Sequence, residues 1–161
     1  MKTAVLYYSL EGNTRYVVEK ITEALYADVI EIRPKKAYPT EGFKKFFHGG
    51  KDATMKKSPE LEPYSFNADD YEMVVLCTPM WAGTFTPPVR SFLSANNLSH
   101  KKVAAAVCCS GGKTEKCMEQ LKEAAGVDQL IAQVRLVDPK SKPSDENEML
   151  LQEFIGKLAD A

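Results

Sequence analysis

Apolar residues in this chain come in short continuous runs, separated by loops and by segments where they recur every three or four positions. Ala4 to Tyr8 is the first run, too short for a buried helix and rich in strand formers. Val17, Ile21, Ala24 and Leu25 then mark one helix face. Asp28 to Ile32 predicts a second strand, ended by Arg33-Pro34. Glu72 to Cys77 predicts a third, Lys102 to Cys109 a fourth and Gln129 to Val137 a fifth. Between them, Pro87-Pro88 suits a helix start, with Val89, Phe92 and Leu93 inward. Met118, Leu121 and Ala125 do the same for the next helix. The last helix has Asp145 and Glu148 placed as a capping pair, then Leu151, Phe154, Ile155 and Leu158 inward. Strands that alternate with helices imply parallel pairing and right-handed crossovers. Continuous apolar strands imply that both sheet faces are covered. The expected architecture is a doubly wound sheet of five strands in one domain over residues 1–161.

Residues 34–70 break this rhythm, being too long for an ordinary connection in such a unit. Phe43, Phe46, Phe47 and a basic series predict an added helix across Glu41 to Met55, weakened by Gly49-Gly50. From Arg33 to Lys57 eight Lys or Arg face two acids, a local balance of +6 that leaves −7 for the rest of a chain with net charge −1. A solvated surface explains that charge; a basic rim for an anionic partner or a phosphorylated cosubstrate is the sharper reading. The apolar and aromatic content of the insertion also offers a surface to a second copy, a homodimer.

Composition narrows the function classes. A net charge of −1 gives no general pull toward nucleic acid or membrane. The longest apolar run, Val103 to Cys109, is far short of a bilayer span. The first apolar segment breaks at Ser9-Leu10-Glu11, unlike a secretory leader. Cys77, Cys108, Cys109 and Cys117 lack zinc or Cys-x-x-Cys spacing, and three of them close apolar runs as small buried hydrophobes. The expectation is a reduced, cytoplasmic protein without a metal site.

Candidate chemistry sits in the loops beyond the strand ends, where open parallel sheets bind ligands. The turn Ser9-Leu10-Glu11-Gly12-Asn13-Thr14 joins a buried strand to a helix start. It aims free N–H groups and the positive helix end at one point, with hydroxyls from Ser9 and Thr14, and so suits a phosphate. Thr78-Pro79-Met80-Trp81-Ala82-Gly83-Thr84 places the only tryptophan in a loop, where an exposed indole can stack on a flat ligand. A lone Trp is more often core, but seldom among Pro, Gly and Thr. Ser110-Gly111-Gly112-Lys113 offers backbone without bulk. Together the three suit a flat heteroaromatic carrying one phosphate.

Ser9-x-x-Gly12-Asn13-Thr14 after the first strand is similar to the flavin-mononucleotide phosphate loop of flavodoxin-like proteins. Residues 78–83, followed by Thr-Phe-Thr-Pro-Pro-Val-Arg-Ser-Phe-Leu, resemble the second flavin loop of that family. The resemblance covers nearly the whole chain apart from the insertion. It implies a flavodoxin-like three-layer α/β/α sandwich, a five-stranded parallel sheet of order 2-1-3-4-5 and non-covalent FMN. Ser9, Leu10, Glu11, Gly12, Asn13 and Thr14 would hold the phosphate. Thr78, Pro79, Met80, Trp81, Ala82 and Gly83, with Ser110, Gly111 and Gly112, would meet the ring.

Other classes fail on residues. Gly112-Lys113-Thr114 mimics the end of a Walker loop, but the earlier glycine is Val107. The first turn has one glycine, unlike a dinucleotide fingerprint. Tyr8-Ser9 and Cys77-Thr78 stand where a receiver domain needs acids. No Cys has Arg six residues on, and His48 and His100 lack a nucleophile partner. The family's carriers are typically very acidic, whereas this pI is near 6.2. Their aromatic in the loop after the fourth strand is missing here. The expected role is electron transfer through FMN with a redox partner protein. The alternative is an FMN-dependent NAD(P)H:quinone oxidoreductase, with one flavin face open or closed by Phe46, Phe47 or His48. A non-enzymatic flavin-binding module is the third reading. No catalytic side chain stands out.

Overall fold

The structure, a computed structural model, describes residues 1–40 and 49–161. The chain runs β1 (Thr3–Tyr7), α1 (Asn13–Leu25), β2 (Asp28–Glu31), β3 (Met73–Trp81), β4 (Thr84–Phe85) and α2 (Pro87–Ala95), then β5 (Lys102–Cys109), α3 (Glu115–Ala125), β6 (Gln133–Val137) and α4 (Asp145–Ala159). Strands pair in the order β2-β1-β3-β5-β6, all parallel, and β4 pairs antiparallel with β3. With β4 set aside this is the expected 2-1-3-4-5 sheet.

Strand periodicity divides the core in two. Ala4, Leu6, Val74, Leu76, Val103, Ala105 and Val107 face α2 and α3, meeting Phe92, Leu93, Met118 and Leu121. Their neighbours Val5, Tyr7, Val75, Cys77, Ala104 and Ala106 face α1 and α4, meeting Val17, Ile21, Leu151 and Phe154. Every residue of β1 is therefore buried, and the run reads as unbroken apolar sequence. Carboxyl ends of β1, β3 and β5 finish on one rim, because Tyr7 pairs with Cys77 and Pro79 with Cys108.

Three boundaries and one buried position differ from expectation. The third strand does not stop at Cys77 but continues to Trp81, turns through Ala82 (φ 50°) and Gly83 (φ 78°), and returns as β4. Two successive positive φ angles make the tight two-residue hairpin that suits the strand twist. The fifth strand starts at Gln133, not Gln129, although Ile131 N–H already donates to Val103 C=O (2.8 Å) and Ala132 C=O accepts the Ala105 N–H (3.1 Å). Ala24 is exposed, and Val18 takes its place inside α1. The last helix is capped by Ser144, whose hydroxyl accepts the Asn147 N–H at 3.1 Å, rather than by Asp145 and Glu148. Ser144→Ala should cost about 1 kcal/mol of stability in urea unfolding.

The insertion closes on itself at its base. Lys35 N–H donates to Glu60 C=O (2.9 Å) and Glu62 N–H to Arg33 C=O (2.7 Å), around an antiparallel bridge between Pro34 and Leu61. Its ends thus meet, and a long excursion leaves the sheet undisturbed. Of the helix expected over residues 41–55, residues 41–48 lie outside the described residues, and 49–54 are helical. Three insertion cations are paired within the chain: Arg33 with Glu31, Lys35 with Glu60 and Lys57 with Asp52. Such exposed pairs contribute little stability. Among the described residues no helix is long and apolar enough to cross a membrane.

Candidate functional site

Beyond the carboxyl ends of the strands lies a cleft of about 610 Å³. One wall is the turn between β1 and α1. Ser9 Oγ accepts the N–H groups of Gly12 (3.2 Å) and Arg15 (3.3 Å), which folds the turn over the start of α1. Gly12 (φ 98°) occupies the N-cap in a left-handed conformation that disfavours a Cβ. The N-cap glycine has no side chain to cap the helix, and of the helix's own N–H groups Ser9 takes only that of Arg15, so the positive end of the helix dipole stays available to a ligand. Thr14, 1% exposed, borders the cleft, and its buried hydroxyl has no hydrogen-bond partner of standard geometry, only the weakly polar Cys108 thiol beside it. A buried hydroxyl left so is costly unless something binds there.

The second wall is the β3–β4 hairpin. Trp81 is half-buried rather than an exposed plate. Its ring meets Tyr8 edge-on (5.6 Å, 88°) and Tyr38 edge-on (5.1 Å, 76°). Tyr8 and Tyr38 also meet each other at 6.3 Å. Behind the indole runs the 49–54 helical stretch, so close that a Cβ on Gly49 would sit 3.0 Å from the ring. Glycine is what lets this backbone approach. Tyr38 Oη donates to Asp52 (3.4 Å), tying the start of the insertion to the same stretch. Burial pushes the Tyr8 and Tyr38 hydroxyls up, with the Asp52 carboxylate adding to the shift at Tyr38, so both stay neutral.

The third wall is the loop after β5. Ser110 Oγ donates to Asp138 (3.0 Å), and Asp138 also pairs with Lys142 (3.0 Å). Gly112 C=O accepts from Arg135 Nε at 3.0 Å, which anchors the glycine loop to β6. Neither Gly111 nor Gly112 has another atom near the place of a Cβ, so beyond Ser110 the loop presents backbone alone.

Of the fifteen positions expected to form the site, twelve line this one cleft: Ser9, Leu10, Glu11, Asn13, Thr14, Pro79, Met80, Trp81, Ala82, Gly83, Ser110 and Gly111. Gly12, Thr78 and Gly112 do not. Thr78 is fully buried, its hydroxyl paired with Thr86 Oγ1 (3.0 Å) and accepting the Thr86 N–H (3.3 Å), so it fastens the hairpin to α2. Asn13 also has structural work, because its Oδ1 accepts the N–H groups of Lys140 (2.8 Å) and Ser141 (3.1 Å). The sequence reading missed Gly50, Cys108, Cys109 and Asp138, which line the cleft, and the whole 138–142 loop. Asp138-Pro139 after an apolar strand was the available signal, since that loop leaves the same rim.

Burial holds the Cys77 thiol well above its usual range and pushes Cys108 and Cys117 up to about 12. None of these three offers a thiolate nucleophile near neutral pH. Among the described residues no group of three His, Cys, Asp or Glu side chains is placed to hold a metal. His100 is exposed, and Phe46, Phe47 and His48 lie outside the described residues.

Residues 2–144 match the family described as Flavodoxin. The chain belongs to that family. Solved structures share the fold at low sequence identity. A flavoprotein from Lactobacillus acidophilus, solved in complex with FMN, is 20% identical with a TM-score of 0.74, over 95% of this chain and 97% of that one. A putative flavoprotein from Bacteroides eggerthii is 18% identical with the same TM-score, over 98% of each chain. Flavodoxin 2 from Bacillus cereus, in oxidised form, is 16% identical with a TM-score of 0.61, over 99% of each chain. No curated protein matches the sequence.

Proposed function

We propose that this flavodoxin-family protein binds FMN without a covalent link and transfers electrons through it to or from a partner protein. The observation that carries the reading is the Thr14 hydroxyl, sealed from solvent with only the Cys108 thiol beside it, at a helix start whose N-cap is a glycine, in the same cleft as Trp81 and Gly111. A phosphate would give Thr14 its acceptor and occupy the positive end of α1. The backbone from Leu10 to Thr14 would share it. Trp81 and Ala82-Gly83 would border the ring, and Ser110-Gly111 would meet its polar edge. FMN, when bound, supplies one- or two-electron chemistry; the chain positions it and excludes water.

A second reading draws on the glycine loop. With no side chain at Gly111, that side of the cleft stays open to a nicotinamide or a quinone. This favours an NAD(P)H-dependent oxidoreductase, although no side chain of the cleft stands out as a proton donor. The purified protein titrated with FMN should turn yellow and show a shifted flavin absorption band. An NADPH addition then separates the readings. Bleaching by NADPH followed by quinone turnover supports the enzyme; bleaching only through a reductase protein supports the carrier. A colourless preparation that ignores FMN would remove both and leave a module without flavin.

A further inference from the structure

We propose that Lys140, on the loop after β6, is the cationic partner of the phosphate group that the β1–α1 turn receives. This rests on the FMN reading above. A phosphate monoester carries a charge of about −1.5 to −2 near neutral pH, and a helix start offsets only about half a charge. The turn brings no free cation of its own. Its one charged residue is Glu11, and the adjacent Arg15 is committed to Glu31 at 2.8 Å, on the β2 side.

Lys140 is brought in from the far end of the sequence. Asn13 Oδ1 accepts the N–H groups of Lys140 and Ser141, and this holds the 138–142 loop across the turn. The Lys140 ammonium then rests on Gly12, 3.1 Å from where a Cβ would stand. It forms no ion pair with a described carboxylate. Asp138, the nearest acid in its own loop, is engaged by Lys142 (3.0 Å) and Ser110 (3.0 Å) instead. Thr14, buried and unpartnered in the same turn, is the independent sign that a ligand belongs there. Asn13 therefore serves the phosphate indirectly, by aiming the lysine, and Gly12 leaves the space that the ammonium uses.

FMN and riboflavin differ by the phosphate alone and so isolate this contact. Their affinities are measured by fluorescence quenching for the wild type and Lys140→Met, at low and high salt. FMN binding should weaken roughly three- to tenfold at low salt, between the scales of exposed ion pairs and charged hydrogen bonds. Riboflavin binding should not change, and the FMN loss should shrink as salt rises. Lys140→Arg should retain FMN affinity. Lys20→Met, which removes a charge beside Tyr16 on α1, controls for net charge and should leave the difference between the two flavins intact. If Lys140→Met binds FMN as tightly as the wild type, the inference is overturned while the FMN reading stands. Equal weakening of both flavins assigns Lys140 a structural role and also overturns it. A wild type that binds neither flavin removes the FMN reading and this inference with it.

Discussion

Phe92→Ala is expected to lower the free energy of unfolding by about 3–5 kcal/mol and, in the same step, to loosen the insertion. Phe92 is fully buried on the inner face of α2. It does two jobs there. Its ring belongs to the core between α2 and the sheet, and it meets Phe66 (5.0 Å, 67°) and Tyr64 (5.7 Å, 51°) from the returning limb of the insertion. The same helix holds that limb by two polar contacts: Ser91 Oγ donates to Pro59 C=O, and Asn96 Nδ2 to Tyr64 Oη (3.0 Å). Truncation would leave a void with aromatic walls that rigid strands cannot collapse into. Phe154→Ala provides the contrast, because that ring is equally buried in the other core, against α1. Both variants should lose similar stability in urea, but only Phe92→Ala should expose residues 49–66 to limited proteolysis under native conditions. Equal protease resistance in the two variants would mean that the insertion is held by its base alone.

The sheet was legible because its strands are covered on both faces. Val103 to Val107 sends alternate residues to two different helix layers, and both demand apolar side chains, so the run is unbroken. The helices were legible for a related reason: Val89, Phe92 and Leu93, or Leu151, Phe154, Ile155 and Leu158, each face a single layer. The hairpin after Cys77 was not. Pro79 argues against a strand, because it cannot donate to a ladder, and Ala82 stands where a turn with positive φ normally has Asn or Gly. That strand survives because Thr78, which reads as a polar loop residue, is spent on Thr86 and the start of α2.

The same logic explains which parts of the site the sequence hid. Local signals, a hydroxyl-rich turn at a helix start and glycines beyond a strand, mark walls that are each made by one contiguous stretch. The 138–142 loop joins the site through Asn13, more than a hundred residues away, and through Ser110, and the Gly49 contact with Trp81 likewise exists only after folding. None of these contacts leaves a pattern along the chain. Trp81 shows the consequence. Its position in the loop chemistry was readable, but its half-buried state was not, because Tyr38 and Gly49 come from the insertion.

Trp81→Ala should weaken the binding of both FMN and riboflavin by about 1–3 kcal/mol, the scale of stacking losses on aromatic truncation. The equal effect on the two flavins follows from the division of the walls: the indole belongs to the β3–β4 hairpin and Thr14 to the start of α1, so a change in the indole leaves the phosphate contacts alone. Its geometry is set by neighbours that do not depend on the ligand. Tyr8 and Tyr38 hold the ring edge-on, and Gly49 closes its rear, which leaves the remaining side for the cleft. Such a preset ring loses little conformational freedom on binding, which favours affinity. Trp81→Phe, keeping an aromatic surface of smaller area, should recover part of the loss. Gly49→Ala should reproduce part of it without touching the cleft, since a methyl 3.0 Å from the ring must displace either the indole or the helical stretch. Parallel titrations of the four proteins with each flavin read all of this at once. Wild-type affinity in Trp81→Ala would remove the indole from the flavin site, and a loss confined to FMN would place it at the phosphate instead.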